Sequence, residues 1–230
     1  MQKSAQIKSQ IEEVEQSCFR LVVRAVRDYH AEAIKIFREE TDLANDIAED
    51  VTREALVALG ISRVPIRLYG KVDYKRAAVL FLPDREIEVA LMIDSKAEMD
   101  GNTATLQMAQ TSMEIRQKRA GASVRIKGLL PTFIKRGPFN LQTITIVVKY
   151  IYEERAVGYL LKQVKIACVP NGLLQEEYNP DDNDTIWLAG RNAPSLGEEF
   201  RVRLSFSALE KKAPWHVIAI PLIPLLVAKA

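Results

Sequence analysis

The chain has 230 residues, 48% of them hydrophobic and 27% charged, with ten glycines, ten prolines and a formal net charge of +2. This balance excludes a disordered or low-complexity chain and fits one soluble domain with a buried core, and so small a net charge does not by itself suggest nucleic acid. The opening MQKSAQIKSQIEEVEQ has no apolar run behind its charges, so no signal peptide is expected and the protein is expected to stay in the cytoplasm. Cys18 and Cys168 lie far apart in apolar surroundings without metal-ligand spacing, and read as reduced core residues.

Ile7, Ile11, Val14, Cys18, Leu21, Val22, Ala25, Val26 and Tyr29 recur at helical spacing, which predicts one long amphipathic helix running to about Arg38. Thr41 or Asp42 then caps a second helix with the stripe Leu43, Ile47, Val51, Ala55 and Leu59, ended by Gly60. These helices fill residues 1–60. From Arg63 the period changes to two. Ile66, Leu68, Val72 and the run Ala78 to Leu82 predict a strand, Pro83-Asp84-Arg85-Glu86 a turn, and Ile87 to Ala97 the returning strand of a hairpin. Thr103 to Arg119 reads as a helix stopped by Gly121, which completes a catalytic segment over 61–120.

Further strands are predicted at Leu141 to Tyr152 and Tyr159 to Val169, within a sheet region spanning 141–216 that also holds the alternating Phe200 to Phe206. The tail over 217–230 is apolar but too short for a bilayer, which needs about 20 residues, and Pro221 and Pro224 interrupt it. A packed edge strand or a subunit contact is the expectation there. Helices before and after a central sheet make this an α/β or α+β domain. Between Met113 and Arg136 the cations Arg116, Lys118, Arg119, Arg125, Lys127, Lys135 and Arg136 meet one acid, Glu114, which reads either as a phosphate-sized patch or as a solvated helix end and loop.

The hairpin carries charges where a core should resist them. Asp94 and Lys96 follow Val89-Ala90-Leu91-Met92-Ile93 and, two positions apart on an extended chain, leave the same face. Centring the turn between Asp84 and Arg85 sets Asp73 opposite Lys96 and Lys75 opposite Asp94, so Asp73 and Asp94 become diagonal neighbours on the order of 7 Å apart. Two half-buried carboxylates that close repel unless a cation lies between them. Oxygen ligands with open positions suit Mg²⁺ with a substrate phosphate, and Lys96 beside it can orient water and stabilise charge on the phosphoryl oxygens. By itself, D-x-K equally describes an exposed ion pair on a strand.

An aspartate, a gap, then (D/E)-x-K resembles the PD-(D/E)xK nuclease motif. GKVDYKR (70–76), IDSKAE (93–98), TATLQMAQTSM (103–113), YNPDDNDT (178–185) and APW (213–215) resemble, in the same order, segments of the SfiI-type restriction endonucleases. The similarity runs from Ile11 to Trp215, is interrupted near 114–140 where this chain is shorter, and does not extend into the tail. It implies an α/β fold with a PD-(D/E)xK restriction-endonuclease-like core, a central mixed sheet flanked by helices. The implied activity is Mg²⁺-dependent, site-specific cleavage of double-stranded DNA. The implied assembly is a homo-oligomer, a tetramer by resemblance with a dimer as fallback, reading an interrupted palindrome.

On the matching positions Asp73 and Asp94 hold the metal and Lys96 is the catalytic lysine. Val72 stands where the generic motif has proline, as an aliphatic residue does in the SfiI-type enzymes. Arg201 and Arg203 alternate with Val202, so both guanidinium groups leave one face of a strand, and Arg191 arrives from a Gly-Arg-Asn loop. An arginine fork fits O6 and N7 of guanine, so three of them suit a G·C-rich half-site, and the resemblance implies GGCC-type half-sites around an unread spacer. The family uses a basic residue at each of these three positions, a lysine at the first, so the base contact of Arg191 stays open.

Asp50 flanks the apolar stripe of the second helix while Glu49 points away, which makes Asp50 the better visitor to a second metal position, though solvation of a helix side explains it as well. His30 and His216 share no spacing with a nucleophile or a ligand set. Two rival functions remain on the same residues: a non-catalytic sequence-specific DNA-binding protein, and a structure-specific repair nuclease.

Overall fold

The structure is a computed structural model that describes residues 2–60, 66–67, 76–82, 87–99, 101–188 and 201–222. The predicted first helix is two: α1 (Gln2–Asp28) and α2 (His30–Glu39). The break falls at Tyr29, whose φ of −92° and ψ of 1° leave the helical basin. Its hydroxyl donates to Glu54, and the break lets Ala33 and Phe37 of α2 join the core with Tyr150 and Tyr159. The next helix, α3 (Ala44–Ala58), starts after Leu43 with no side-chain cap, so neither Thr41 nor Asp42 performs the capping expected of it. Gly60, at φ +79°, ends it as expected, because a left-handed residue costs glycine nothing sterically.

The remaining elements, in chain order, are β1 (Ile66–Arg67), β2 (Arg76–Leu82), β3 (Ile87–Glu98), β4 (Thr103–Gln107), β5 (Ile115–Arg119), β6 (Ala122–Ile126), β7 (Phe133–Arg136), β8 (Phe139–Glu154) and β9 (Tyr159–Val169), then α4 (Gln175–Tyr178), β10 (Trp187–Leu188), β11 (Arg201–Ser205), α5 (Phe206–Lys212) and β12 (Val217–Pro221). The large sheet has the order β1-β2-β3-β8-β9-β12, with β7 also paired to β8. The β2–β3 hairpin runs from Leu82 opposite Ile87 to Ala78 opposite Leu91, the register expected from the turn. β3 and β8 are parallel, while the other pairings in this sheet are antiparallel, so it is mixed. The tail strand β12 packs on β9 at the sheet's edge; residues after 222 lie outside the described ones.

The predicted helix over Thr103 to Arg119 is replaced by β4, a 3-10 turn at Met108–Gln110, and β5. Ala104 and Leu106 are buried between half-buried neighbours, a period of two that pairing with β11 enforces. Gly121 does not stop a helix. It forms the two-residue turn of the β5–β6 hairpin with Ala120, both at positive φ, the combination whose twist matches paired strands.

Two layers cover the large sheet. On one face Val22, Val26, Phe37, Val51 and Leu56 of the helices pack against Val89, Leu91, Ile146, Val148 and Tyr150. On the other, Val147 and Ala167 meet Leu106, Trp187, Val202, Leu204 and Phe206, which belong to the smaller sheet β10-β11-β4 and to α5. Leu141 to Tyr150 of β8 are buried throughout because both of its faces are covered.

Candidate active site

The outer half of β3 sits between these layers. Val89, Leu91 and Ala97 pack into the helical core, with Ile93 against its margin, so strand alternation sends Asp94, Lys96 and Glu98 to the opposite face. On the helical side, Asn45 of α3 accepts the Ala97 N–H at 2.8 Å.

Asp94 is only 16% exposed and Lys96 25%. The Lys96 ammonium lies 3.1 Å from Oδ1 and 3.0 Å from Oδ2 of Asp94. Gln110 donates its Nε2 to Oδ1 at 2.8 Å. Oδ2 is buried with Lys96 at ion-pair distance and, among the described residues, has no hydrogen-bond donor. Burial pushes the Asp94 carboxyl up from its ordinary range, while the charge and hydrogen bond of Lys96 and the Gln110 amide oppose that shift. The result is a carboxylate arranged around positive charge with one oxygen still lacking a hydrogen-bond donor.

Three residues near this corner escaped the sequence reading. Glu98 continues the alternation of Asp94 and Lys96 and accepts from Lys149 at 2.5 Å. Lys149 is wholly buried, also donates to the Thr103 carbonyl, and pairs with Lys96 across the parallel ladder. The lone cation inside TITIVVKYIY was its available signal. Gln110 left none, because its segment reads as helical.

Of the residues expected at the site, Asp94 and Lys96 stand side by side, whereas Asp73 and Arg191 lie outside the described residues. Asp50 is ion-paired with Arg53 at 2.5 Å on an exposed side of α3. Arg201 and Arg203 project from one face of β11, half-buried, while Val202 and Leu204 between and beside them are buried in the second core. β11 pairs with β4, setting Arg201 opposite Gln107 and Arg203 opposite Thr105. In the basic segment Arg116, Lys118, Arg119 and Arg125 lie on the β5–β6 hairpin rather than at a helix end, and Lys135 and Arg136 lie on β7, beside β8. Part of the segment is neutralised internally, since Arg116 binds Glu114 at 2.8 Å and Glu176 at 3.0 Å, while Lys118 donates to the uncharged Asn183 amide.

The family model for the type II restriction enzyme SfiI matches residues 28–220, most of the chain and β1 through β11 entire, with all but the last residue of β12. The chain belongs to the SfiI family of type II restriction enzymes. The SfiI enzyme of Streptomyces fimbriatus is 31% identical, over 90% of this chain and 83% of that enzyme. The structure of tetrameric SfiI bound to cognate DNA superposes with a TM-score of 0.82 at 27% identity, covering 94% of this chain and 86% of that one. That of BglI bound to its DNA recognition sequence gives 0.71 at 18% identity over 96% and 94%, a likeness of fold alone. The expected restriction-endonuclease-like α/β core is therefore the observed one, and the chain is a type II restriction endonuclease.

This SfiI-family fold also brings together residues that sequence spacing kept apart. Glu15, Cys168 and His216 are buried with ligand atoms within 4.8 Å of one another, so His216 does share a potential ligand set, contrary to expectation. Its ring nitrogens are already engaged, Nδ1 with the Cys168 carbonyl and Nε2 with the Tyr178 hydroxyl, each at 2.8 Å. Burial lowers His216 to about 4 and pushes the Cys168 thiol up, which marks neutral, structural groups. Both cysteines are free, as expected.

Proposed function

We propose that this SfiI-family endonuclease cuts double-stranded DNA at a specific site with Mg²⁺ held by Asp73 and Asp94 and with Lys96 as the catalytic lysine. The observation that carries the reading is the buried Asp94 Oδ2, which among the described residues has no hydrogen-bond donor and lies 3.0 Å from the Lys96 ammonium. A hard oxygen donor in a half-open corner fits magnesium. Asp73, which lies outside the described residues, is assigned the second carboxylate on the resemblance of GKVDYKR to the matching segment of the SfiI-type enzymes. When bound there, magnesium supplies positive charge at the scissile phosphate and acidifies water.

The chain's own groups do the rest. Lys96, held by Asp94, keeps its ammonium at the attacked phosphate, where it orients the incoming water and donates to the non-bridging oxygens as their charge grows. In-line attack breaks the bond to the 3′ oxygen and leaves a 5′-phosphate and a 3′-hydroxyl. Arg201 and Arg203, with Arg191, read guanines in the major groove, which suits GGCC-type half-sites around an unread spacer. Because SfiI itself is tetrameric and binds cognate DNA, this chain is proposed to form a homotetramer on DNA in the cytoplasm, with a dimer as the simpler assembly.

Digestion of plasmid DNA followed by sequencing of the ends tests the reading. A fixed set of fragments with G·C-rich, interrupted two-fold sequences at their ends, formed with Mg²⁺ and abolished by chelator, is expected. Nicks at junctions or damage would instead assign a structure-specific nuclease, and tight binding with no cutting a non-catalytic reader.

A further inference from the structure

Gln110 ends the 3-10 turn that follows β4 of the smaller sheet and binds Asp94 on β3 of the large one. Its side chain, in a residue only 8% exposed, is held at both ends. Oε1 accepts the Gln107 backbone N–H at 2.9 Å, and Nε2 donates to Asp94 Oδ1 at 2.8 Å. The first contact fixes which end of the amide meets Asp94, since a flipped amide would set nitrogen against N–H and oxygen against carboxylate. The Gln107 N–H bond to Gln110 Oε1 closes back over the 3-10 turn as one half of a capping box, so the amide is held by the turn itself.

The turn is itself clamped. Leu129 N–H donates to the Met108 carbonyl at 2.8 Å, Gly128 N–H to Met113 at 3.0 Å and Leu130 N–H to Thr111 at 3.1 Å. A Cβ on Gly128 would lie within 2.5 Å of the Met113 carbonyl oxygen, so only glycine allows this approach. Gln107, the last residue of β4, lies directly opposite Arg201 of β11. From the recognition strand to the Asp94 carboxylate there is thus one ladder pairing, one tight turn and one hydrogen bond.

We infer that Gln110 is a positioning residue: it orients the Asp94 carboxylate for metal and ties that orientation to the strand bearing Arg201 and Arg203. This inference rests on the proposed metal role of Asp94. With Asp94 Oδ1 taking both the Gln110 amide and the Lys96 ammonium, Oδ2, 3.0 Å from that ammonium, is the oxygen proposed to turn to an incoming cation. A shift of β11 against DNA moves β4 through their ladder and reaches Asp94 through a side chain with no slack at either end.

Two substitutions separate the contacts. Gln110→Glu keeps an acceptor for the Gln107 N–H and removes the donor to Asp94, whereas Gln110→Leu removes both. The whole protein is bound to a duplex carrying its mapped cleavage site, and Ca²⁺ is titrated in by calorimetry. The Mg²⁺ dependence of cleavage, kcat and the KM for DNA are measured alongside. The expected result for Gln110→Glu is at least about a tenfold loss in Ca²⁺ affinity and a matching rise in the Mg²⁺ needed for half-maximal rate, with KM for DNA within about threefold of the parent. Gln110→Leu should show the same losses with a lower melting temperature. Parental Ca²⁺ affinity and Mg²⁺ dependence in both variants, with only the melting temperature reduced, would overturn the inference and leave the metal role of Asp94 intact. If the parent protein neither binds Ca²⁺ on DNA nor cuts, the metal role falls first and this inference with it. Should Gln110→Leu fail to fold, Gln110→Glu decides alone.

Discussion

β3 presents Val89, Leu91 and Ala97 to the helices and Asp94, Lys96 and Glu98 to the opposite side, and β8 beside it presents Ile146, Val148 and Tyr150 one way and Lys149 the other. The helical face is held mainly by packing of apolar groups, and its polar groups are paired, as in the buried hydroxyls Thr52 Oγ1 and Tyr150 Oη at 3.0 Å and the buried Glu15 of α1, which accepts the Asn171 N–H at 2.7 Å. The other face keeps charges inside the protein, each with a counter-charge or a carbonyl beside it. One strand period therefore divides two environments, an apolar one on the helical side and, on the other, the charged one proposed to carry the chemistry. The difference teaches that charge survives near a core where partners converge from separate strands, because an unpaired buried charge is far costlier than a paired one.

If the division is real, substitutions on the two faces should fail in different assays. The largest effect is expected from Asp94→Ala or Lys96→Ala: cleavage should fall on the order of 10³-fold, with DNA affinity retained. Urea melts should show stability changed by no more than about 1 kcal/mol, because the pair is partly hydrated. Normal cutting by Asp94→Ala would remove the catalytic role of that face.

Ile144→Ala, in the helical core beside Leu91, should reverse the pattern, with a loss of ~3 kcal/mol in unfolding free energy and an unchanged rate per folded molecule. Glu98→Ala sharpens the boundary between the faces. It leaves Lys149 buried with only the Thr103 carbonyl, and should destabilise by about 2 kcal/mol, less than a fully enclosed pair because water reaches Glu98. Adding Lys149→Met should recover most of that loss in the same melts; if the double variant is worse, the pair is not a stability liability that packing can replace. The smallest effect belongs to Thr52→Val, which strands the Tyr150 hydroxyl among apolar side chains and should cost about 1 kcal/mol with cleavage untouched.

Much of this division was legible before folding was considered. The count across Pro83 to Glu86 predicts the observed pairing of Leu82 with Ile87 and of Ala78 with Leu91, since a short turn and a period of two leave little else for a hairpin to do. The same period puts Asp94 and Lys96 on one face, where they are found in contact. Arg201 and Arg203 follow the identical rule on β11. The expectation failed at Thr103 to Arg119, where Ala, Leu, Gln and Met at loosely helical spacing concealed two strands.

Local chain order by itself determined the charged hairpin, the helices that precede it and the strand that carries the paired arginines, because each depends on periodicity and turn chemistry among near neighbours. Tertiary structure alone decided that β3 runs parallel to β8, that β4 is a strand because β11 lies beside it, and that Gln110 and Lys149 reach the charges of β3. Those outcomes depend on ladders and hydrogen bonds between residues far apart in the chain, whose energies are set by which partners the whole fold brings within reach.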